Sequence, residues 1–237
     1  AGWPSSTGAR AQPMHSTLPD GTSQVITFSG EIYNFRELRA ELESHGHRFR
    51  THCDTEVVLH GYTRWGRGLV DRLNGMYAFA VWDEARQELL LVRDRMGVKP
   101  LYYHPTATGV LFGSEPKAVL AHPSLRRRVT AEGLCEVLDM VKTPGRTVFS
   151  GMHEVLPGEL VTVGRTGVTR RRYWTLQARE HTDDLETTVA TVRELLTDTV
   201  HRQLVSDVPL CTLLSGGLDS SAVTALAARA GEGPVRT

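Results

Sequence analysis

The run Met76-Tyr77-Ala78-Phe79-Ala80-Val81-Trp82 is apolar at every position. A strand with this pattern has no solvent face, so a layer must cover each side of it. Leu89-Leu90-Leu91-Val92 repeats the pattern and predicts a second such strand. Leu101-Tyr102-Tyr103 and Val110-Leu111-Phe112 flank a Thr108-Gly109 turn, which predicts a hairpin. Val25-Ile26-Thr27-Phe28 predicts a short buried strand ending at Gly30, with residues 1–24 turn-forming and irregular. Val161-Thr162-Val163 and Arg172-Tyr173-Trp174 read as late strands of the same domain.

Elsewhere the apolar period lengthens to that of helices. Asn34 with Glu37 three places on reads as a capping-box-like start, with Phe35, Leu38 and Leu42 on one face and Gly46 at the end. A second helix begins near Thr55, buries Val58, Leu59 and Tyr62, and stops at Gly66. A third runs from Thr130 with Leu134, Val137, Leu138 and Val141 on one face. The polar segment 177–184 reads as a linker. After it come an amphipathic helix with Val192, Leu195, Leu196, Val200 and Leu204 in register, a strand over 210–214, the loop 215–221 and a small-residue helix over 222–230. This strand–loop–helix order opens an α/β nucleotide-binding domain.

The 237 residues carry 27 basic and 27 acidic side chains. A neutral balance gives no general attraction to nucleic acid or to an anionic membrane. The short runs Arg126-Arg127-Arg128 and Arg170-Arg171-Arg172 read as a solvated loop and a strand end. An apolar content of 40% is enough for a core in one large domain or two modest ones. No apolar stretch is long enough to span a bilayer, and the polar first twenty residues do not read as a secretory leader. Opening on Ala1 rather than Met suggests a natural start further upstream. Cys53, Cys135 and Cys211 form no CxxC pair and sit at no metal-ligand spacing with His, so a reducing compartment is the simplest reading. Cys211, inside the expected strand, reads as a small core residue.

Ser215-Gly216-Gly217-Leu218-Asp219-Ser220-Ser221 is the sharpest motif. Glycines let the backbone turn tightly and approach a ligand, and the free amides of a helix N-terminus face an anion. Serine hydroxyls add donors, and Asp219 can hold a Mg2+ that offsets phosphate charge. No Gly-Lys-Ser/Thr follows, so this is not the Walker pattern. A capped helix after a plain glycine turn is the blander alternative.

The heptad resembles the pyrophosphate loop of the ATP-pyrophosphatases, which activate a carboxylate as an acyl-adenylate. That resemblance implies ATP contacts at Leu214, Ser215, Gly216, Gly217, Asp219, Ser220 and Ser221. The stretch before it, from about Gln12 to Trp174, is similar to the class II glutaminase domain of asparagine synthetases. Its landmarks are Ser29-Gly30-Glu31-Ile32-Tyr33-Asn34, Asp54-Thr55-Glu56, Leu73-Asn74-Gly75-Met76, the run from Arg93 through Tyr103, Phe112-Gly113-Ser114-Glu115 and Leu156-Pro157-Gly158. The implied fold is α+β: a four-layer αββα N-terminal-nucleophile domain over residues 1–178, then the first strand, loop and helix of an α/β ATP-pyrophosphatase domain over 179–237.

The resemblance also implies chemistry. An N-terminal Cys attacks the glutamine amide, ammonia leaves and the thioester is hydrolysed. Ser29 and Gly30 fall at the oxyanion hole, and Gly30, Glu31 and Asp54 at the glutamine site, with the two carboxylates suited to the α-amino group. Read alone, Gly30 could end a strand and Asp54 could cap a helix. The segment from Arg93 to Tyr103 reads as structural, its Arg/Asp pairs suiting a buried ion network. Three departures stand out. The chain opens Ala1-Gly2-Trp3 where members open Cys-Gly-Ile-Ala-Gly-Trp, so no catalytic nucleophile is assigned. Trp3 leads into Pro4-Ser5-Ser6-Thr7-Gly8 without the Arg-Gly-Pro-Asp segment, whose Arg binds the glutamine carboxylate. Ser29 stands where many members have Asn.

The leading expectation is thus an ATP- and Mg2+-dependent ligase that amidates aspartate with ammonia from glutamine, in the cytoplasm, without nucleic-acid or membrane partners. Members are often dimers, so the resemblance admits a homodimer. The chain as it stands, without the rest of the ligase domain, is not expected to make asparagine. Two alternatives remain: an amide ligase of β-lactam-synthetase type, which needs no ammonia, and a non-catalytic remnant.

Overall fold

The computed structural model describes residues 11–206, 208–231 and 235–237, so the departures expected at Ala1–Gly8 lie outside the described residues. The chain divides into two compact units, Ala1–Leu176 and Gln177–Thr237.

The first unit is built on a six-stranded antiparallel sheet. In chain order its strands are β1 (Met14–Thr17), β2 (Ser23–Ile32), β3 (Gly75–Asp83), β4 (Glu88–Arg93), β8 (Glu159–Gly164) and β9 (Gly167–Arg172), and they pair in that order. A second sheet of three strands has β5 (Tyr102–Thr106) at its centre, between β6 (Gly109–Gly113) and β7 (His153–Glu154). Helices α1 (Phe35–Ser44) and α2 (Asp54–Trp65) cover one face of the large sheet. The small sheet covers the other, with the short helix α3 (Pro116–Leu120) packed on β5 and β6.

Strand β3 shows why the layers form. Tyr77, Phe79 and Val81 point to the helices and share a core with Leu38, Leu42, Val58 and Leu59. Ala78 and Ala80 point the other way, against Leu101, Tyr103, Val155 and Val161. Large residues fill the sheet–helix layer, and small ones admit the second sheet closely.

Several expectations are corrected. Residues 14–17, read as irregular, form edge strand β1. Strand β2 does not end at Gly30 but runs to Ile32, because Gly30 pairs with Tyr77 in an unbroken register. The last strand stops at Arg172, and Tyr173 turns in to donate its hydroxyl to the Arg93 carbonyl at 2.7 Å. Asn34 precedes α1 but does not cap it with its side chain. Its amide group instead donates to Arg72 O at 2.9 Å, and its oxygen accepts from Asn74 N–H at 2.9 Å, fixing the chain that leads into β3. Helix α4 (Ala131–Leu138) does start at a Thr130 cap, which accepts from Gly133 N–H at 3.0 Å. Its apolar face is not covered: Leu134, Val137, Leu138 and Val141 are all exposed.

The segment from Arg93 onward is a structural network, with a different pairing from the one expected. Arg93 meets Glu154 at 2.8 Å rather than a neighbouring Asp, and donates also to the carbonyls of Gly97, Lys99 and Val155. Asp94 accepts the backbone N–H groups of Met96, Val98 and Lys99 at 2.9–3.0 Å.

In the second unit, α5 (Leu185–Gln203) begins at Asp184, whose carboxylate accepts from Thr187 N–H at 2.8 Å. Helix α6 (Leu218–Ala230) starts four residues earlier than the sequence suggested. In place of a strand over 210–214 there is one parallel bridge, Cys211 to Arg236. A parallel strand gains its ladder only from neighbours, and among the described residues Arg236 is the one that pairs here. Cys211 is accordingly exposed, not a core residue.

Candidate active site

The site in the first unit is set by which edge of β2 is left open. Strand β1 pairs with β2 only as far as Met14 opposite Ile26. At Phe28 the Gln12 side chain takes over: Phe28 N–H donates to Gln12 Oε1 at 2.7 Å, and Gln12 Nε2 donates to Phe28 O at 2.8 Å. Four residues on, Ile32 N–H donates to Asp54 Oδ2 at 3.0 Å. Alternate residues of a strand turn their backbone groups to the same edge. Gly30, midway between Phe28 and Ile32, therefore also points its N–H away from β3. Tyr77, opposite Gly30, agrees with this parity, since both its backbone groups bond to Asp94 on the far side. Among the described residues the Gly30 N–H meets no acceptor.

Only glycine fits there. Gly30 has φ of +146°, and a Cβ would lie 2.1 Å from Met76 O. Gly75 is its counterpart, since a Cβ there would lie 2.1 Å from Glu31 O. The two strands approach closely only because both positions lack side chains.

Ser29 and Glu31 alternate with Gly30, and their exposed side chains share the face opposite Phe28 and Ile32. The Ser29 N–H lies on the β3 side of the strand, within the ladder, so its hydroxyl is the donor it can offer a ligand. Ser29 also lines a cleft of about 150 Å3 with Gln12, Ala78, Ala80, Phe112 and Ser114. Asp54 opens α2, where the helix dipole favours a carboxylate, and its bond to Ile32 holds it beside the end of β2. The structure thus brings Ser29, Gly30, Glu31 and Asp54 to one end of one strand. Burial raises the Tyr33 hydroxyl above its ordinary range, and the negative charges of Glu31 and Asp94 add to the effect.

Sequence reasoning missed the part Gln12 plays at this edge, because its partner Phe28 lies on another strand and local pattern cannot show that contact.

The loop before α6 is the second site. Gly216 has φ of +83°, and no side chain caps the helix at Gly217. The first regular bond is Ser221 N–H to Gly217 O at 3.1 Å, so the N–H groups of Leu218, Asp219 and Ser220 have no acceptor among the described residues. Ser215 and Ser220 hydroxyls lie 3.0 Å apart across the loop, and Ser220 Oγ reaches Gly217 O at 3.2 Å. Leu214 and Leu218 are exposed at its two ends. A neighbouring cavity of about 640 Å3 takes in Asp219 and Ser220 but not Ser215, Gly216 or Gly217. Its walls are mostly apolar side chains from α5, α6 and the segment between them, such as Val200, Leu204, Leu213, Val223 and Ala227, so it suits apolar packing rather than a triphosphate.

The donor set of the loop fits a nucleotide phosphate: bare amides, two hydroxyls and one carboxylate. Among the described residues no three His, Cys, Asp or Glu side chains form a metal cluster. A Mg2+ here would rest on Asp219 and on phosphate and water oxygens, which is how that ion commonly binds. No helix among the described residues is long and apolar enough to cross a membrane.

Comparison with known proteins agrees with both halves. A glutamine amidotransferase domain model matches residues 5–174, and an asparagine synthase model matches 191–237. Asparagine synthetase [glutamine-hydrolyzing] 3 of Bacillus subtilis is 48% identical over 232 residues, covering 95% of this chain and 38% of the relative. Asparagine synthetase [glutamine-hydrolyzing] 2 of the same organism is 37% identical over 231 residues, covering 89% and 30%. The chain thus spans 30–38% of the length of these two relatives. Glutamine phosphoribosylpyrophosphate amidotransferase from B. subtilis, solved with ADP and GMP, shares the fold with a TM-score of 0.51 and 20% identity, covering 92% of this chain and 47% of that one. A structure described as the allosteric regulatory enzyme of purine biosynthesis gives 0.52 and 20%, covering 96% and 47%. An α+β fold of two antiparallel sheets between helices, an open glycine amide on β2 and a match across residues 5–174 lead to one conclusion: this chain belongs to the glutamine amidotransferase domain family.

Proposed function

We propose that the chain is the glutaminase part and the nucleotide-binding opening of a glutamine-hydrolysing asparagine synthetase. The observation that carries this reading is the Gly30 N–H, held open on the edge of β2 between the Gln12 and Asp54 contacts. An amide under attack by a nucleophile develops negative charge on its oxygen, and a fixed N–H at that point stabilises it. The Ser29 hydroxyl would supply the second donor. Glu31 and Asp54 would hold the α-amino group of glutamine. Released ammonia would then amidate an aspartate carboxylate activated with ATP.

In the second unit, the amides of Gly217, Leu218, Asp219 and Ser220, with the Ser215, Ser220 and Ser221 hydroxyls, would hold the phosphates, with Leu214 and Gly216 shaping the approach. Asp219 would hold Mg2+. When bound, ATP and Mg2+ supply the leaving pyrophosphate and the charge that offsets it. A domain boundary at 178/179 is part of this reading, and a stretch between residues 174 and 191 that neither family model covers is compatible with it. A homodimer is the assembly to test. A cytoplasmic setting suits the three free cysteines.

Ligases that close a ring without ammonia have no use for an open Gly30 amide, which places them second. The test is on the full-length protein: glutamate release from glutamine, and AMP and pyrophosphate formation with glutamine, aspartate and ATP·Mg2+. Both activities are expected. Failure of every amino-acid carboxylate to support AMP formation would overturn the ligase reading, and glutamine-independent AMP formation with no glutamate release would favour the ring-closing class.

A further inference from the structure

The Gln12 side chain does the work of a strand residue. The β1–β2 register places Met14 opposite Ile26, so Gln12 stands opposite Phe28. The regular ladder of β1 begins only at Met14. The Gln12 amide group then bonds both backbone groups of Phe28, at 2.7 and 2.8 Å. A side-chain amide offers one donor and one acceptor on adjacent atoms, as a peptide does. This pairing ends two residues before Gly30. It fixes the edge of β2 without covering the Gly30 N–H.

We propose that Gln12 is a positioning residue for glutamine hydrolysis, holding the Phe28 backbone so that the Gly30 N–H meets the oxygen of the attacked amide. This inference rests on the glutaminase reading above. Gln12 acts through the strand, not on the substrate. A donor displaced by a fraction of an ångström loses much of its effect on the transition state and little of its effect on substrate binding. The signature is therefore a fall in kcat with little change in KM.

Two variants of the full-length protein test this. Gln12→Ala removes both bonds. Gln12→Glu keeps the shape. Its carboxylate still accepts from Phe28 N–H but faces Phe28 O with a second acceptor, whereas the protonated acid restores the donor. Glutamate release from glutamine is measured for each, with a thermal unfolding scan beside it. Gln12→Ala is expected to lower kcat about tenfold or more, with KM within about twofold. The Gln12→Glu rate, as a ratio to wild type, is expected to climb as pH is lowered from about 8 toward the carboxyl range. Wild-type kcat in Gln12→Ala, a rise in KM alone, or a Gln12→Glu ratio that does not change with pH would overturn the proposal. If Gln12→Ala fails to fold, the Gln12→Glu ratio decides. Absence of glutamate release by the wild type would overturn the glutaminase reading itself, and this role with it.

Discussion

Gly30 answers two demands at once: a backbone angle of +146° and a contact with Met76 O that leaves no room for a Cβ. Gly30→Ala is expected to force β2 and β3 apart and cost roughly 2–4 kcal/mol, read from urea unfolding. Gly68→Ala is the matched control, since a Cβ there meets nothing within 4 Å, and its change should stay within about 0.5 kcal/mol. In the full-length protein Gly30→Ala should also lose most glutamate release. The requirement was only half legible. Gly30 read as a strand end because its partner, Met76 O, lies on another strand, and local pattern cannot show a contact across the sheet. The histidine pair is a second case. His47 Nδ1 and His60 Nδ1 lie 3.3 Å apart, with Glu56 3.6 Å from His60 Nε2. Desolvation holds both histidines below their ordinary range, with Arg64 adding for His47 and His47 itself adding for His60, while Glu56 opposes. The unfolded chain then binds more protons just below about pH 6.5, so stability is full above that value and falls as pH drops toward the folded-state values. Thermal midpoints measured between neutral and mildly acid pH should fall, and His60→Gln should flatten the slope. A slope unchanged by that substitution would assign the effect to other groups.

Between elements, one ion pair joins the two sheets. Arg93 ends β4 in the large sheet, and Glu154 lies in β7 of the small one. Both are buried, and Lys142, the other partner of Glu154, is largely exposed. Arg93→Ala leaves Glu154 charged in the layer between sheets with only that outer partner, and frees the carbonyls of Gly97, Lys99 and Val155. The expected cost is about 3–5 kcal/mol by denaturant titration. Arg93→Lys keeps the charge but not the fork of donors, and should fall between. A cost below about 1 kcal/mol for Arg93→Ala would show that the sheets are held by the apolar layer alone. Here the sequence was informative about the element and not about the pairing. A dense run of Arg and Asp announces a buried network, but Glu154 is remote in the chain and carries no local mark. The same limit governs α4. Its spacing of Leu134, Val137, Leu138 and Val141 correctly announced a helix, yet spacing cannot say whether a partner covers that face, and here they are exposed.

At the scale of the molecule the two units differ in how much they bury. That difference was not legible in the sequence, because the apolar stripe of α5 looks like any core-facing stripe. In the first unit, β2, β3 and β4 are buried between layers, with Ile26, Phe79, Leu90 and Leu91 almost wholly inaccessible. In the described part of the second, Val200 and Ala227 are the buried apolar residues, while Val192, Leu195 and Leu196 remain exposed. Apolar burial is the main force opposing chain entropy, so a helix pair with so little of it opens at small cost. Backbone amides of α5 and α6 are therefore expected to exchange with deuterium through local opening, at rates orders of magnitude above those of β3 and β4, which should exchange only on global unfolding. Peptide-resolved exchange on the chain as given measures this directly. Protection of α6 equal to that of β3 would refute it. The phosphate reading makes the same measurement sharper. A nucleotide held by the amides of Leu218, Asp219 and Ser220 binds only the folded helix start, so ATP·Mg2+ should slow exchange at the first turn of α6 in proportion to its saturation, and leave β3 unchanged.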